Sequence, residues 1–333
     1  MNRLTSIVSL IVVYAYLSGA CYAQDENKVA QHLQDISVTI KAGHSEGSGV
    51  IISRELLLSS ESSEKIKVNF VWTAGHVVDG LRSTRTVIDA SGKPKTIIEF
   101  KDAQVVKELV EEGRKVGELK MDAKVILYSD ARDGEDLALL LVRKRGFVDA
   151  SAEFYLEGDE MIPIGTELFH VGSLLGQVGS NSMTRGIMSK VGRVLDIGQG
   201  EGTVFDQTTV TAFPGSSGGG VFLSDKNGES SGKYVGMLVR GAGEGFNFIV
   251  PIRRMHDWAK EVDAEWALDP NAEAPTLEEL SNQPIEDAGF NGGEKESDGE
   301  DANKKYGLKF MIVRTPNPPV AKIERKPFIN EEE

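Results

Sequence analysis

Three short stretches of this chain hold a histidine, an aspartate and a serine in the settings that nucleophilic hydrolysis needs. They are Thr73-Ala74-Gly75-His76, Asp136-Leu137-Ala138-Leu139-Leu140 and Pro214-Gly215-Ser216-Ser217-Gly218-Gly219. A serine hydroxyl attacks poorly until a base takes its proton. His76 is the candidate base, because it follows the apolar run Val71-Trp72-Thr73-Ala74, whose burial in a strand would fix the backbone. Asp136 alone directly precedes an apolar run, unlike its neighbours Asp130, Asp133 and Glu135. A carboxylate entering a core needs a partner. An imidazole N–H supplies one, and the carboxylate in return fixes the tautomer and stabilises the imidazolium. Ser217 is the candidate nucleophile, with Gly215 and Gly218 on either side of the serine pair allowing a sharp turn and close approach of a substrate. Ser216 is the rival nucleophile, and the Gly-x-Ser-Gly-Gly register selects Ser217. His32, His44, His170 and His256 lack such a context and read as surface or packing residues. No metal-ligand spacing is present, so neither metal nor cofactor is expected.

The chain order His…Asp…Ser separates this arrangement from the Asp-first and Ser-first orders of other hydrolases. Gly47-Ser48-Gly49-Val50-Ile51-Ile52 precedes the three stretches, and Phe246-Asn247-Phe248-Ile249-Val250-Pro251 follows them. On these five motifs, spread over residues 35–255, the chain resembles the trypsin-like (chymotrypsin-fold) serine proteases, and within them the HtrA-like branch. The resemblance implies two six-stranded antiparallel β-barrels and a serine endopeptidase acting on protein or peptide substrates, with His76, Asp136 and Ser217 as its catalytic residues. It implies an oxyanion hole from the backbone N–H groups of Gly215 and Ser217, and a substrate pocket near Thr211, Phe213, Val239 and Gly241. Thr211 stands six residues before Ser217, where selection for basic side chains would place an aspartate, so small or medium apolar side chains are expected. Arg240 and Glu244 lie close in sequence to that pocket. The chain departs from the family pattern in three ways. Ser216 precedes the nucleophile where Asn or Asp is usual, no PDZ-like domain is visible after residue 260, and Ser53–Asn69 and Phe100–Asp122 exceed minimal loops.

The elements that must position these residues are mostly strands. Short β-branched and apolar runs bounded by turn residues recur at Gly49–Ile52, Val68–Thr73, Ala123–Tyr128, Glu167–Val171, Gly219–Leu223, Tyr234–Val239 and Phe246–Val250. Leu137–Val142 is continuously apolar, as a fully buried strand would be. With 36 glycines available for tight turns, the class is all-β. Ala103–Lys115 fits a short helix or a long hairpin equally. Residues 24–34 read as a short helix or a disordered lead, and Ile252–Val262 as a closing amphipathic helix anchored by Trp258.

Composition sets the remaining bounds. A net charge of −14 opposes nucleic-acid binding through phosphate neutralisation. Arg3, the apolar run Ile7–Leu17 and Cys21-Tyr22-Ala23 read as a signal peptide over residues 1–23, too short for a comfortable membrane span. A secreted or periplasmic location follows, with lipid attachment at Cys21 as a lesser alternative. Residues 24–266 are then the protease domain. Residues 267–333, acidic and poor in large apolar side chains, read as a largely disordered tail. An oligomer is open. Rival readings from other classes are a catalytically silent binding module on the same fold and a surface interaction protein working through the acidic tail.

Overall fold

The apolar runs fold into two barrels, each closed by hydrogen bonding between its first and last strands. A computed structural model describes residues 28–88, 92, 94–132, 134–155, 161–196, 202–241, 243 and 245–285. All belong to one unit, residues 1–291. The expected signal peptide, with Cys21, and residues 286–333 lie outside the described residues.

A helix (α1) includes residues 28–35. The first half of the chain then gives β1 (Ser37–Ala42), β2 (Ser45–Leu57), β3 (Lys65–Thr73), the short helix α2 (Gly75–Val78), β4 (Arg82–Ile88), β5 (Pro94–Phe100), β6 (Ala103–Glu111), β7 (Arg114–Ser129) and β8 (Leu137–Val142). The first barrel runs β1-β2-β3-β8-β7-β6 and closes from β6 to β1, while β4 and β5 form a separate hairpin. The second half gives β9 (Glu167–Leu174), β10 (Gly179–Asp196), β11 (Gly202–Thr208), β12 (Gly220–Leu223), β13 (Tyr234–Gly241) and β14 (Asn247–Pro251). Its barrel runs β10-β11-β14-β13-β12-β9 and closes from β9 to β10. Helices α3 (Ile252–Glu261) and α4 (Leu277–Asn282) follow. The expected all-β class and two six-stranded antiparallel barrels are therefore what the chain adopts.

The open choice at Ala103–Lys115 resolves as a hairpin, with Glu111 paired to Arg114. Glu112 and Gly113 between them both take positive φ, +51° and +76°. Two such residues in a row make the tight hairpin loop whose twist matches that of the strands it joins.

Leu137–Val142 is buried at every position. Its register sets Leu139 beside Trp72 and Ala138 beside Thr73, so the strand that follows Asp136 is locked to the strand that precedes His76. One apolar cluster gathers the interior of the first barrel, the seam and α3, including Phe70, Trp72, Leu139, Met237, Val239 and Trp258. A second, smaller one fills the far side of the second barrel around Leu168, Met188, Val221 and Ile249.

The expected domain end at residue 266 falls inside a packed segment, residues 264–285, which lies as a strap against the first half of the chain. Trp266, Ala267, Leu268 and Leu280 are buried and join the main cluster. Trp266 meets Phe70 edge to face at 4.9 Å. The Ala267 carbonyl accepts from the Trp72 indole N–H at 3.2 Å and from buried Arg54 at 3.3 Å, and Arg54 Nε donates to the Trp266 carbonyl at 2.7 Å. Thr276 and Glu279 cap α4 reciprocally. Ile285 bridges to Ile98. The segment is sparse in apolar residues, but each one it has finds a place in a core built elsewhere. That is why local composition understates its order.

Candidate active site

His76 sits on the single turn of α2, just past β3. Two anchors hold this turn. The Thr73 hydroxyl donates to the Ser48 carbonyl at 2.7 Å, and Val77 and Val78 are buried. Asp136 faces His76 from the loop entering β8. One carboxylate oxygen accepts from the His76 backbone N–H at 3.0 Å, and both lie 3.0 Å from Nδ1. The backbone bond fixes where the carboxylate stands whatever the ring does. The side chain of Asp136 is 4% exposed and that of His76 38%, so the pair is dry on the acid side and open on the imidazole side.

Asp136 takes a left-handed conformation, φ +57°, which Asp tolerates better than most residues. The loop bearing it is fixed from both ends. The Glu135 N–H donates to the Ser129 hydroxyl at 2.7 Å. The Glu135 carboxylate pairs with Arg254 of α3, whose Nε lies 2.7 Å away. Arg254 is 2% exposed, also donates to the Val204 carbonyl at 2.9 Å, and lies over the Phe205 ring. A helix that follows the second barrel thus grips the residue next to Asp136 in the first.

Ser217 lies between β11 and β12 in two consecutive turns. Ser216 N–H donates to the Phe213 carbonyl and Gly219 N–H to the Ser216 carbonyl, at 2.9 and 3.0 Å. The third residue of each turn is a glycine with positive φ, Gly215 at +94° and Gly218 at +86°, as a type II turn requires. Side chains there are excluded by space as well as by strain. A Cβ on Gly215 would stand 2.4 Å from the Ser173 carbonyl, and one on Gly218 2.2 Å from the Ser48 carbonyl. Ser216 is 1% exposed and its hydroxyl accepts from the Phe213 N–H at 3.1 Å, so the rival serine is turned into the loop's own structure.

Gly218 N–H donates to the Leu238 carbonyl at 2.8 Å. The N–H groups of Gly215 and Ser217, the expected oxyanion donors, have no acceptor among the described residues. Nor does the Ser217 hydroxyl have a hydrogen-bond partner among them, His76 included. Catalytic hydrogen bonds are often long in ligand-free structures and tighten only in the complex.

What ties the second-barrel turn to the first barrel is Ser48, a residue for which sequence reasoning had a motif but no role. Its N–H donates to the Ser217 carbonyl at 2.7 Å. Its hydroxyl donates to the Gly215 carbonyl and accepts from the Ser173 N–H, each at 2.7 Å. A Ser flanked by two glycines at a strand start was the signal, since it marks a close backbone approach.

Beside Ser217 opens a cavity of about 670 Å³ whose wall includes Thr211, Phe213, Leu238, Arg240, Gly241 and Asn247. Three of the four expected pocket residues, Thr211, Phe213 and Gly241, line it. Val239 does not. It is 4% exposed and belongs to the main apolar cluster with Met237. Side chains alternate along β13, so Leu238 and Arg240 take the cavity face and Val239 the opposite one, toward the main apolar cluster.

His170 lies under this loop and is fully buried. Its Nδ1 stands 2.9 Å from the Gly220 carbonyl, so Nδ1 carries the proton, and Nε2 is left without a partner. Burial pushes its pKa down to about 4. The unfolded chain takes up this proton near 6.5, while the folded one refuses it until about 4. The stability of the neutral form is therefore complete above pH 6.5 and lost as pH falls through that window. The expected loss is about 3 kcal/mol. Urea midpoints at pH 7 and pH 4.5 measure it. His170→Asn, which keeps a donor to Gly220, should flatten this part of the profile. An unchanged pH slope in the variant would assign the acid sensitivity to other groups.

The geometry defines a two-barrel protein with a histidine–carboxylate pair on the first barrel and a serine turn of the second barrel tied to the first through Ser48. Residues 47–237 match the trypsin-like peptidase domain family, and the chain belongs to that family. No curated protein matches its sequence. Among solved structures it is similar to Deg5, at 20% identity and a TM-score of 0.46 over 71% of this chain and 92% of that one. It is also similar to an inactive mutant form of Rv3671c from M. tuberculosis H37Rv, at 16% identity and a TM-score of 0.48 over 71% and 90%. Among the described residues, no helix is long and apolar enough to cross a membrane.

Proposed function

We propose that this trypsin-like peptidase is an active serine endopeptidase that works through His76, Asp136 and Ser217. The observation that carries the reading is the His76–Asp136 pair, bonded through both ring and backbone, together with a serine turn, tied to the first barrel through Ser48, that has two N–H groups unengaged among the described residues. In the reaction, Ser217 Oγ attacks the scissile carbonyl as its proton passes to His76 Nε2. Asp136 holds Nδ1–H and stabilises the imidazolium. The N–H groups of Gly215 and Ser217 receive the developing oxyanion; each such donor contributes about 3–4 kcal/mol in the transition state. His76 then protonates the leaving amine, an acyl ester remains on Ser217, and a water activated by the same imidazole releases it. The motif at residues 1–23 supports export to the periplasm or the exterior, with processing after Ala23.

A fluorophosphonate probe tests the reading, because it reacts with a serine only when the base and oxyanion donors are in place. The purified protein should incorporate one label, on the peptide holding Ser217, and Ser217→Ala should incorporate none. Failure of the folded wild type to label would favour the silent binding module.

A further inference from the structure

We infer that the cavity beside Ser217 selects a carboxylate-bearing side chain, glutamate or aspartate, on the residue whose carbonyl is attacked, and that Arg240 is the selector. This rests on the endopeptidase reading and replaces the small apolar preference expected from Thr211. Among the described residues lining the cavity Arg240 is the single charged one, and the others, including Thr211, Phe213, Leu238, Gly241 and Asn247, are neutral. Its guanidinium is far from saturated among the described residues. One terminal N–H donates to the Ala131 carbonyl at 3.2 Å, while Nε is buried without a hydrogen-bond partner. No carboxylate pairs with it among the described residues; Glu244 lies outside them.

A partly buried arginine with open donors is costly to leave unpaired. A guanidinium has five donors in a fork that fits a carboxylate in particular. Thr211 adds a hydroxyl with no partner of its own among the described residues. An apolar substrate side chain would bury these donors without satisfying them; a carboxylate would satisfy them. The bond to Ala131 adds a structural duty. It ties the wall of the cavity to the loop that leads to Asp136, so the test must separate selection from scaffolding.

The experiment uses the full protein and a peptide series identical except at the acyl-side residue, which is Glu, Gln, Ala, Val or Lys. Glu and Gln have nearly the same shape, so their ratio isolates the charge. The expected kcat/KM for Glu exceeds that for Gln by roughly 10- to 100-fold and falls with added salt. Arg240→Gln should bring the two within about threefold of one another, and Arg240→Lys should retain part of the preference. Equal rates for Glu and Gln in the wild type, or faster cleavage after Ala or Val, would overturn the proposal. So would an Arg240→Gln variant that lowers every substrate in equal proportion, since that is the mark of scaffolding alone. Fluorophosphonate labelling on the same samples separates the two levels. A protein that labels at Ser217 but ignores substrate charge refutes the selector and leaves the endopeptidase standing; one that neither labels nor cleaves refutes both.

Discussion

Substituting alanine for His76 should lower kcat for peptide hydrolysis by about a millionfold, and Ser217→Ala should do as much, while the double variant should be no slower than either alone. The expectation comes from the way the parts depend on one another. Without the imidazole the hydroxyl keeps its proton, and without the hydroxyl the imidazole has nothing to activate. The fold should survive each change. The His76 ring is 38% exposed and bonds only to Asp136 among the described residues, and the bond from its backbone N–H remains. The Ser217 turn is held by backbone groups and by Ser48. Single-turnover rates with a fluorogenic peptide, alongside thermal melts, measure both halves. A single variant within tenfold of wild type, or a double variant far slower than the singles, would show that His76 and Ser217 do not act as a unit.

Ending the chain after Trp266 should destabilise it by on the order of 5–10 kcal/mol, most of what an ordinary domain has. The cut removes Leu268 and Leu280 from the core. It also removes the carbonyl of Ala267, which receives the Trp72 indole and one arm of Arg54. Arg54 is 8% exposed, and burial lowers its pKa to about 10, so its remaining donors would be left in an apolar place. The expected product is insoluble, or melts far below the full chain. A second chain ending after Ile285 keeps all these contacts and should melt with the full protein. Equal melting temperatures for the two truncations would mean that the strap contributes little.

The site was more legible in the sequence than its surroundings. His76, Asp136 and Ser217 could be picked out because each stands at the edge of an apolar run, and such edges survive in one dimension. Val239 was misplaced because only the face of β13 separates it from Leu238 and Arg240, and a register shift between the latter two hides that face. The Ala103–Lys115 hairpin was ambiguous because Val105, Val106, Leu109 and Val110 fit either periodicity; Gly113 after Glu112 was the usable turn signal. The strap was missed because its order comes from a core assembled by other segments. Thr276 followed three residues later by Glu279 was the one local mark of its helix. Ser48 was missed because its bonds to the serine turn and to Ser173 join residues more than a hundred positions away.

The three tryptophans of the chain come from the first barrel, from the helix after the second, and from the strap. Trp72 and Trp258 lie 6.0 Å apart, and Trp266 packs on Phe70 beside them. All three are at most 2% exposed, and none lines the cavity by Ser217. The protein therefore carries a built-in optical reporter of one place. Its intrinsic emission should be blue-shifted and indifferent to peptide binding, and should move to the red when the seam parts. Unfolding followed by fluorescence will record the release of the strap and the separation of the barrels. Occupancy of the substrate cavity has to be followed with a dye placed on the peptide.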